Sequence, residues 1–232
     1  MPKLEATPGN RAGGTDDPDV RVGILLYDDF SLLDPTGPAE VLCRLPGATV
    51  TMIADERGPV RTDTADVAVM ADRAMHEFDS LDVLLVPGAG ERGTTTAMND
   101  RAILDWIRSM HATTKWTTSV CSGSLILGAA GLLDQVPATT YWASASYLSE
   151  FGSSYVPQRY VTHGRIITGA GVSAGIDMAP ELAHLLAGSK VARAAQLAIE
   201  YDPRPPFDSG NAAQAGPEMR ELALQLLTDS QV

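Results

Sequence analysis

A β-type run, Trp116-Thr117-Thr118-Ser119-Val120, leads directly into Cys121-Ser122-Gly123-Ser124 and then into the small-residue stretch Leu125-Ile126-Leu127-Gly128-Ala129-Ala130. A strand that passes into a helix with no intervening loop points to an α/β architecture with a sharp turn at the strand's carboxyl end. That turn falls on the cysteine. The sulfur is therefore expected to sit exposed beside a helix N-terminus, where unpaired N–H groups and the positive end of the dipole lower a thiol pKa below its reference value. Read by itself, the segment also fits a packed core thiol at a strand end.

Other segments support the same architecture. Val20-Arg21-Val22-Gly23-Ile24-Leu25-Leu26-Tyr27 is a continuous apolar run of the kind found in a strand covered on both faces of a parallel sheet, and residues 49–54 and 81–86 repeat it. Helical patterns over residues 38–45 and 99–112 separate these runs, which implies βαβ units. Residues 159–169 read as two strands turning at His163-Gly164. Helices are expected over residues 173–187, with Ser173 as N-cap, and over 190–201 and 218–227, the last two joined by a proline-rich linker. The pattern predicts a three-layer αβα sandwich around a mostly parallel, flavodoxin-like sheet with an added β-hairpin. Its ligand crevice should lie at the carboxyl ends of the parallel strands.

At 232 residues, 44% hydrophobic and 20% charged, the chain can bury one sizeable core, placed here in a single domain over residues 20–232. Residues 1–19, rich in Gly, Pro, Thr and Asp, read as a disordered tail without the apolar stretch of a signal peptide. A net charge of −12 argues against nucleic-acid partners, because affinity for a phosphate backbone comes from clustered Lys and Arg. A neutral or cationic small molecule fits better. The two cysteines, Cys43 and Cys121, make no disulfide framework, and no apolar run approaches the ~20 residues of a membrane span, so a cytoplasmic location is expected.

Three strand ends converge on the expected crevice. Asp34, in Phe30-Ser31-Leu32-Leu33-Asp34-Pro35, is a lone carboxylate among apolar neighbours, placed in the loop before a helix. Desolvation and a nearby thiolate would raise its pKa and make it an acid, although Asp-Pro is also ordinary turn chemistry. Val86-Pro87-Gly88-Ala89-Gly90-Glu91-Arg92-Gly93 matches G-x-G-x-x-G but comes late in the chain, is followed by threonines rather than an evident helix, and lacks the acidic strand end. A nicotinamide or flavin cofactor is not expected. Gly88, Ala89 and Gly90 read instead as backbone donors of the oxyanion type. None of His76, His111, His163 and His184 sits at an obvious strand end, so no Cys-His pair and no metal site is expected. Cys43 reads as helix packing.

Together these residues resemble the ThiJ/PfpI superfamily, and within it the isocyanide hydratases. The likeness rests on Leu33-Asp34-Pro35-Thr36-Gly37-Pro38, Ser119-Val120-Cys121-Ser122-Gly123-Ser124, Leu127-Gly128-Ala129-Ala130-Gly131-Leu132-Leu133, Ala138-Thr139-Thr140, and Thr168-Gly169-Ala170-Gly171-Val172-Ser173-Ala174-Gly175-Ile176-Asp177. The resemblance implies a nucleophile elbow at Cys121, an acid at Asp34, a homodimer, no cofactor, and hydration of an isocyanide to a formamide. Ser122 stands where threonine is usual and would orient Asp34 or the water. Tyr141-Trp142 replaces a His-Trp pair and is expected to shape the substrate pocket. Competing readings are an enzyme for another small electrophile, a redox sensor built on Cys121, and a ligand-sensing regulator.

Overall fold

The computed structural model describes residues 20–64 and 67–230. The expected tail, residues 1–19, lies outside them. Along the chain the elements are β1 (Val20–Leu25), α1 (Leu33–Leu42), β2 (Ala48–Ala54), β3 (Gly58–Arg61), β4 (Ala68–Ala71) and β5 (Arg73–Ala74). There follow β6 (Val83–Val86), α2 (Glu91–Asn99), α3 (Arg101–Thr113), β7 (Trp116–Ser119) and α4 (Gly123–Ala129). The chain then forms β8 (Pro137–Ala138), a 3-10 segment (Trp142–Phe151), β9 (Ser154–Tyr155), β10 (Tyr160–His163), β11 (Ile166–Gly169), α5 (Ala174–Ala198) and α6 (Pro217–Ser230).

Among the described residues a seven-stranded sheet runs in the order β10-β11-β7-β6-β1-β2-β5, parallel throughout except where β10 returns antiparallel to β11. Alternation along each strand divides the core. Val22, Ile24, Val83 and Leu85 face one side and pack with Leu42, Met178 and Leu182 of α1 and α5. Leu25, Leu84 and Val86 face the other and meet Ile103, Ile107 and Met110 of α3 and Leu125 to Leu127 of α4. Burying each such side chain contributes about 1.5–3 kcal/mol, so the two-sided apolar runs commit the central strands to the middle of a three-layer sandwich. The expected αβα architecture and the hairpin are both present, with β11 joining the sheet beside β7. No helix among the described residues is long and apolar enough to cross a membrane.

Several boundaries differ from expectation, each for a local reason. The first helix begins at Leu33 rather than at residue 38, so Asp34 lies in its first turn and not in a preceding loop. Pro35 is compatible with that first turn, whereas Pro38, further in, has no N–H to return to the Asp34 carbonyl. The pattern assigned to one helix over residues 99–112 spans a break: Asp100 ends α2, and its carboxylate accepts from Ala102 N–H at 2.8 Å and Ile103 N–H at 3.2 Å to start α3. The glycine loop thus does open a helix, and Thr94 to Thr96 belong to it. Ser173 does not cap α5 with its side chain, which accepts from Arg159 Nη2 at 3.1 Å instead. Gly188, at φ +82°, breaks α5 where the sequence places a boundary between two helices. The β3–β4 hairpin and the 3-10 segment carried no periodicity strong enough to be read.

Candidate active site

The elbow is a local consequence of its sequence. Cys121 is the middle of the three residues between β7 and α4 and adopts φ +58°, a left-handed conformation uncommon for a non-glycine residue. Its N–H donates to Ala170 O at 2.8 Å, while Val120 N–H donates to Val86 O at 3.1 Å, so both flanking strands anchor the turn. A Cβ on Gly123 would lie 2.2 Å from Val86 O, so glycine is needed where the new helix passes over β6.

The thiol environment overturns the expectation of an exposed, acidified sulfur. Cys121 is only 5% exposed and packs with Val120, Tyr141 and Val172. Burial pushes its pKa up and the charge of Asp34 adds to that, while the N–H of Val172 and the N–H and hydroxyl of Ser122 counter it in part. The α4 helix is just seven residues long, and its dipole does not offset the loss of water. Val172 presents its N–H from a backbone at φ +28°, a strained geometry for a β-branched residue.

Asp34 faces the elbow from α1 and is fully buried. Its Oδ2 accepts from Gly88 N–H at 2.8 Å, whereas Oδ1 has no hydrogen-bond partner. Burial pushes its pKa to about 8; the Gly88 bond lowers it and the charge of Asp63 raises it. Burial thus favours the neutral carboxylic acid and the neutral thiol, and Oδ1, which has no partner, is the oxygen free to carry a proton.

The glycine loop does not present free donors to a reacting atom. Gly88 N–H is bound to Asp34, Ala89 N–H donates to Ser122 Oγ at 3.0 Å, and Gly90 N–H donates to Asp63 Oδ2 at 2.9 Å. All three are taken, so the oxyanion reading is corrected: this loop holds the acid. Gly88 is required because a Cβ there would lie 2.6 Å from Ser122 N and 2.8 Å from Cys121 Cβ. Ser122 is likewise turned toward the loop, its hydroxyl sharing bonds with Ala89 O at 2.9 Å and Thr94 Oγ1 at 2.8 Å. It makes no bond to Asp34, and its link to the acid runs through the loop backbone.

Tyr141 lies half-buried beside the sulfur. Burial, and then the proximity of Cys121, raise the pKa of its phenol, while a bond from Trp142 lowers it. The two rings lie 5.5 Å apart at 54°. Two residues not singled out in the sequence also reach the site. Tyr27, at the end of the first apolar run, is buried and donates to Pro87 O at 2.8 Å. Asp63 is buried beyond β3, where nothing in Arg61-Thr62-Asp63-Thr64 distinguishes it from a surface loop. No histidine hydrogen-bonds the sulfur among the described residues, and His111 is instead bound to Thr117 Oγ1 at 2.8 Å. Among the described residues no group of three or more His, Cys, Asp or Glu side chains could hold a metal ion.

A parallel sheet with a cysteine at φ +58° on its central strand end, facing a buried acid, defines a cysteine-elbow protein of the α/β class. Residues 20–185 match the DJ-1/PfpI family, and the chain belongs to it. It is 42% identical over 192 residues to the isonitrile hydratase of Pseudomonas putida, covering 83% of each chain. A crystal structure of a ThiJ/PfpI family protein from Pseudomonas syringae superposes with a TM-score of 0.86 at 33% identity, over 99% of this chain and 95% of that one. Drosophila melanogaster DJ-1beta, at 22% identity and a TM-score of 0.72 over 78% of this chain and 98% of its own, shares the fold.

Proposed function

We propose that this protein hydrates an isocyanide, R–N≡C, to the N-substituted formamide, with Cys121 as nucleophile and Asp34 as acid and base. The observation that carries the reading is the buried carboxyl group of Asp34, which spends Oδ2 on Gly88 N–H and leaves Oδ1 unpartnered on the elbow side of the sheet. The likeness to the Pseudomonas putida isonitrile hydratase supports the substrate class. A buried acid whose neutral form is favoured by desolvation suits a neutral substrate.

Because thiol and acid both hold their protons at neutrality, attack and proton transfer are coupled. Sγ bonds to the terminal carbon as Asp34 delivers its proton to that same carbon, and the thiol proton passes to the carboxylate. The product is a thioimidate, R–N=CH–S–Cys121, with Asp34 protonated again. Water then adds to the thioimidate carbon while Asp34 gives its proton to nitrogen and takes one from the water. Collapse breaks the C–S bond, returns the hydroxyl proton to sulfur and releases R–NH–CHO. Each of the two half-reactions uses one thiol and one acid, without metal, nicotinamide or flavin.

In this reading Tyr141 and Trp142 line the R-group side, and the protein works as a homodimer in the cytoplasm, a compartment that suits its two unpaired cysteines. The test is incubation of purified protein with alkyl and aryl isocyanides, following loss of the isocyanide infrared stretch and appearance of formamide by chromatography. Turnover of an isocyanide is expected, and a mass increase on Cys121 under rapid quench marks the thioimidate. Methylglyoxal turned over faster than every isocyanide overturns the reading.

A further inference from the structure

Asp63 is a buried carboxylate that this chemistry leaves unused. Its Oδ2 accepts two bonds, from Ser31 Oγ at 2.8 Å and from Gly90 N–H at 2.9 Å, while Oδ1 has no partner. Those bonds join the two segments that hold Asp34. Ser31 N–H donates to Gly88 O at 2.9 Å, Ser31 O accepts from Asp34 N–H at 3.1 Å, and Gly88 N–H donates to Asp34 Oδ2 at 2.8 Å. The result is a closed ring through Asp63, Ser31, Asp34, Gly88 and Gly90. Backbone bridges from Phe30 to Thr62 and to Ala89, together with Asp63 N–H donating to Phe30 O at 3.1 Å, bring the same three segments together a second time.

We propose that Asp63 is a positioning residue for Asp34, fixing the two backbone segments between which the acid's carboxyl group is held. This rests on the reading of Asp34 as the acid. An acid that must reach one carbon atom needs its cradle held to within a fraction of an ångström, and misplacement by about 1 Å costs as much as a hundredfold in rate. The charge of Asp63 has a second consequence, because a neighbouring anion disfavours ionisation of Asp34. Among the described residues, the titratable groups that bear on this cluster are Tyr27, Cys121, Asp34 and Asp63 themselves. Asp29, on the same loop as Ser31, is answered by Arg92 at 2.7 and 2.8 Å on the rim.

The test is the pH–rate profile of the wild type, Asp63→Asn, Asp63→Ala and Ser31→Ala. Asp63→Ala is expected to lose about tenfold to a hundredfold in kcat with KM within about twofold. Asp63→Asn keeps an oxygen able to accept both bonds, so most of kcat returns below neutrality. Without the charge, its alkaline limb moves down by about half a pH unit or more. Ser31→Ala removes one bond and keeps the charge, lowering kcat without moving that limb, and it carries the test if Asp63→Ala does not fold. A wild-type profile in Asp63→Ala, or a folded Asp63→Asn no more active than Asp63→Ala with its limb unmoved, overturns the proposal. If the wild type turns over no isocyanide, the functional reading fails separately. Iodoacetamide labelling of Cys121 against pH then reads the same cluster: the inflection from Asp34 ionisation moves down in Asp63→Asn if the proposal holds and stays put if it does not.

Discussion

The two halves of the site are built in opposite ways. The elbow is contiguous: Ser119 to Gly123 contain the strand end, the left-handed turn and the start of the helix. The cradle of the acid is assembled from three segments far apart in sequence, around residues 30–34, 62–63 and 87–90, which meet only when β1 and β6 pair and β3 folds over them. The contiguous half carries its turn within one stretch of chain and takes its anchoring bonds, to Val86 O and Ala170 O, from the neighbouring strand ends. The assembled half depends on every hydrogen bond between its segments, and its chemistry, a carboxyl group holding a proton near neutrality, is a product of burial rather than of residue type.

The largest effect expected is at the elbow. Cys121→Ala should reduce isocyanide turnover to background, as measured by formamide production, since the neighbouring Ser122 hydroxyl is held by Ala89 O and Thr94 Oγ1. Activity retained in that variant would move the chemistry entirely to the cradle.

Next in size is the acid. Asp34→Asn should lower kcat by about 10²–10⁴, the range of general acid–base catalysis. Its stability has a definite pH dependence. The folded pKa of Asp34 is raised to about 8, so the stability tied to its protonated form is fully present below the unfolded carboxylate pKa and is lost as pH rises through about 8. Thermal melts from pH 5 to pH 9 should therefore show the wild type losing ground relative to Asp34→Asn. A constant difference between the two would mean that the carboxyl group is not held protonated.

Where the halves touch, Gly88→Ala should lower stability by about 1–3 kcal/mol through overpacking, because the new methyl group would meet the Ser122 backbone at 2.6 Å. It should also lower kcat, since the loop that carries Gly88 N–H must retreat from the elbow. Denaturant titration and steady-state rates measure the two effects. Unchanged values in both would show that the loop moves freely without disturbing either half.

A smaller effect concerns reactivity. Buried Cys121 should be alkylated by iodoacetamide more slowly than exposed Cys43 at neutral pH, with peptide mapping to assign each site. Faster labelling of Cys121 would restore a thiolate resting state to the elbow. The smallest change is expected for Tyr141→His, which should shift the ranking of isocyanide R groups by a few-fold in kcat/KM, since a neutral ring of different size replaces the phenol in the pocket.

How much of this is legible without a structure differs between the halves. The elbow, the sheet that carries it and the hairpin follow from apolar runs and small-residue spacing, because strand and helix periodicities are local. Asp34 is recognisable as an unusual carboxylate among apolar neighbours, though its place inside the first turn of α1 is hidden by Pro35, which reads as turn chemistry, and by Pro38, which reads as the first residue of the helix. The glycine loop is visible as a motif, but its use is not: the partners of its three N–H groups lie in other segments.

By itself, the sequence determined a two-sided parallel sheet, a cysteine at the carboxyl end of a central strand, and an acid near the end of the first strand. These depend on residue order and the periods of strand and helix. Tertiary structure alone decided that the thiol is buried and not acidified, that the loop donors serve Asp34, Ser122 and Asp63, and that Asp63 joins the site at all. The reason is that desolvation and hydrogen-bond partnership are properties of the space around a side chain, and here the deciding partners lie far along the chain: Gly90 is 27 positions from Asp63, and Gly88 is 54 from Asp34.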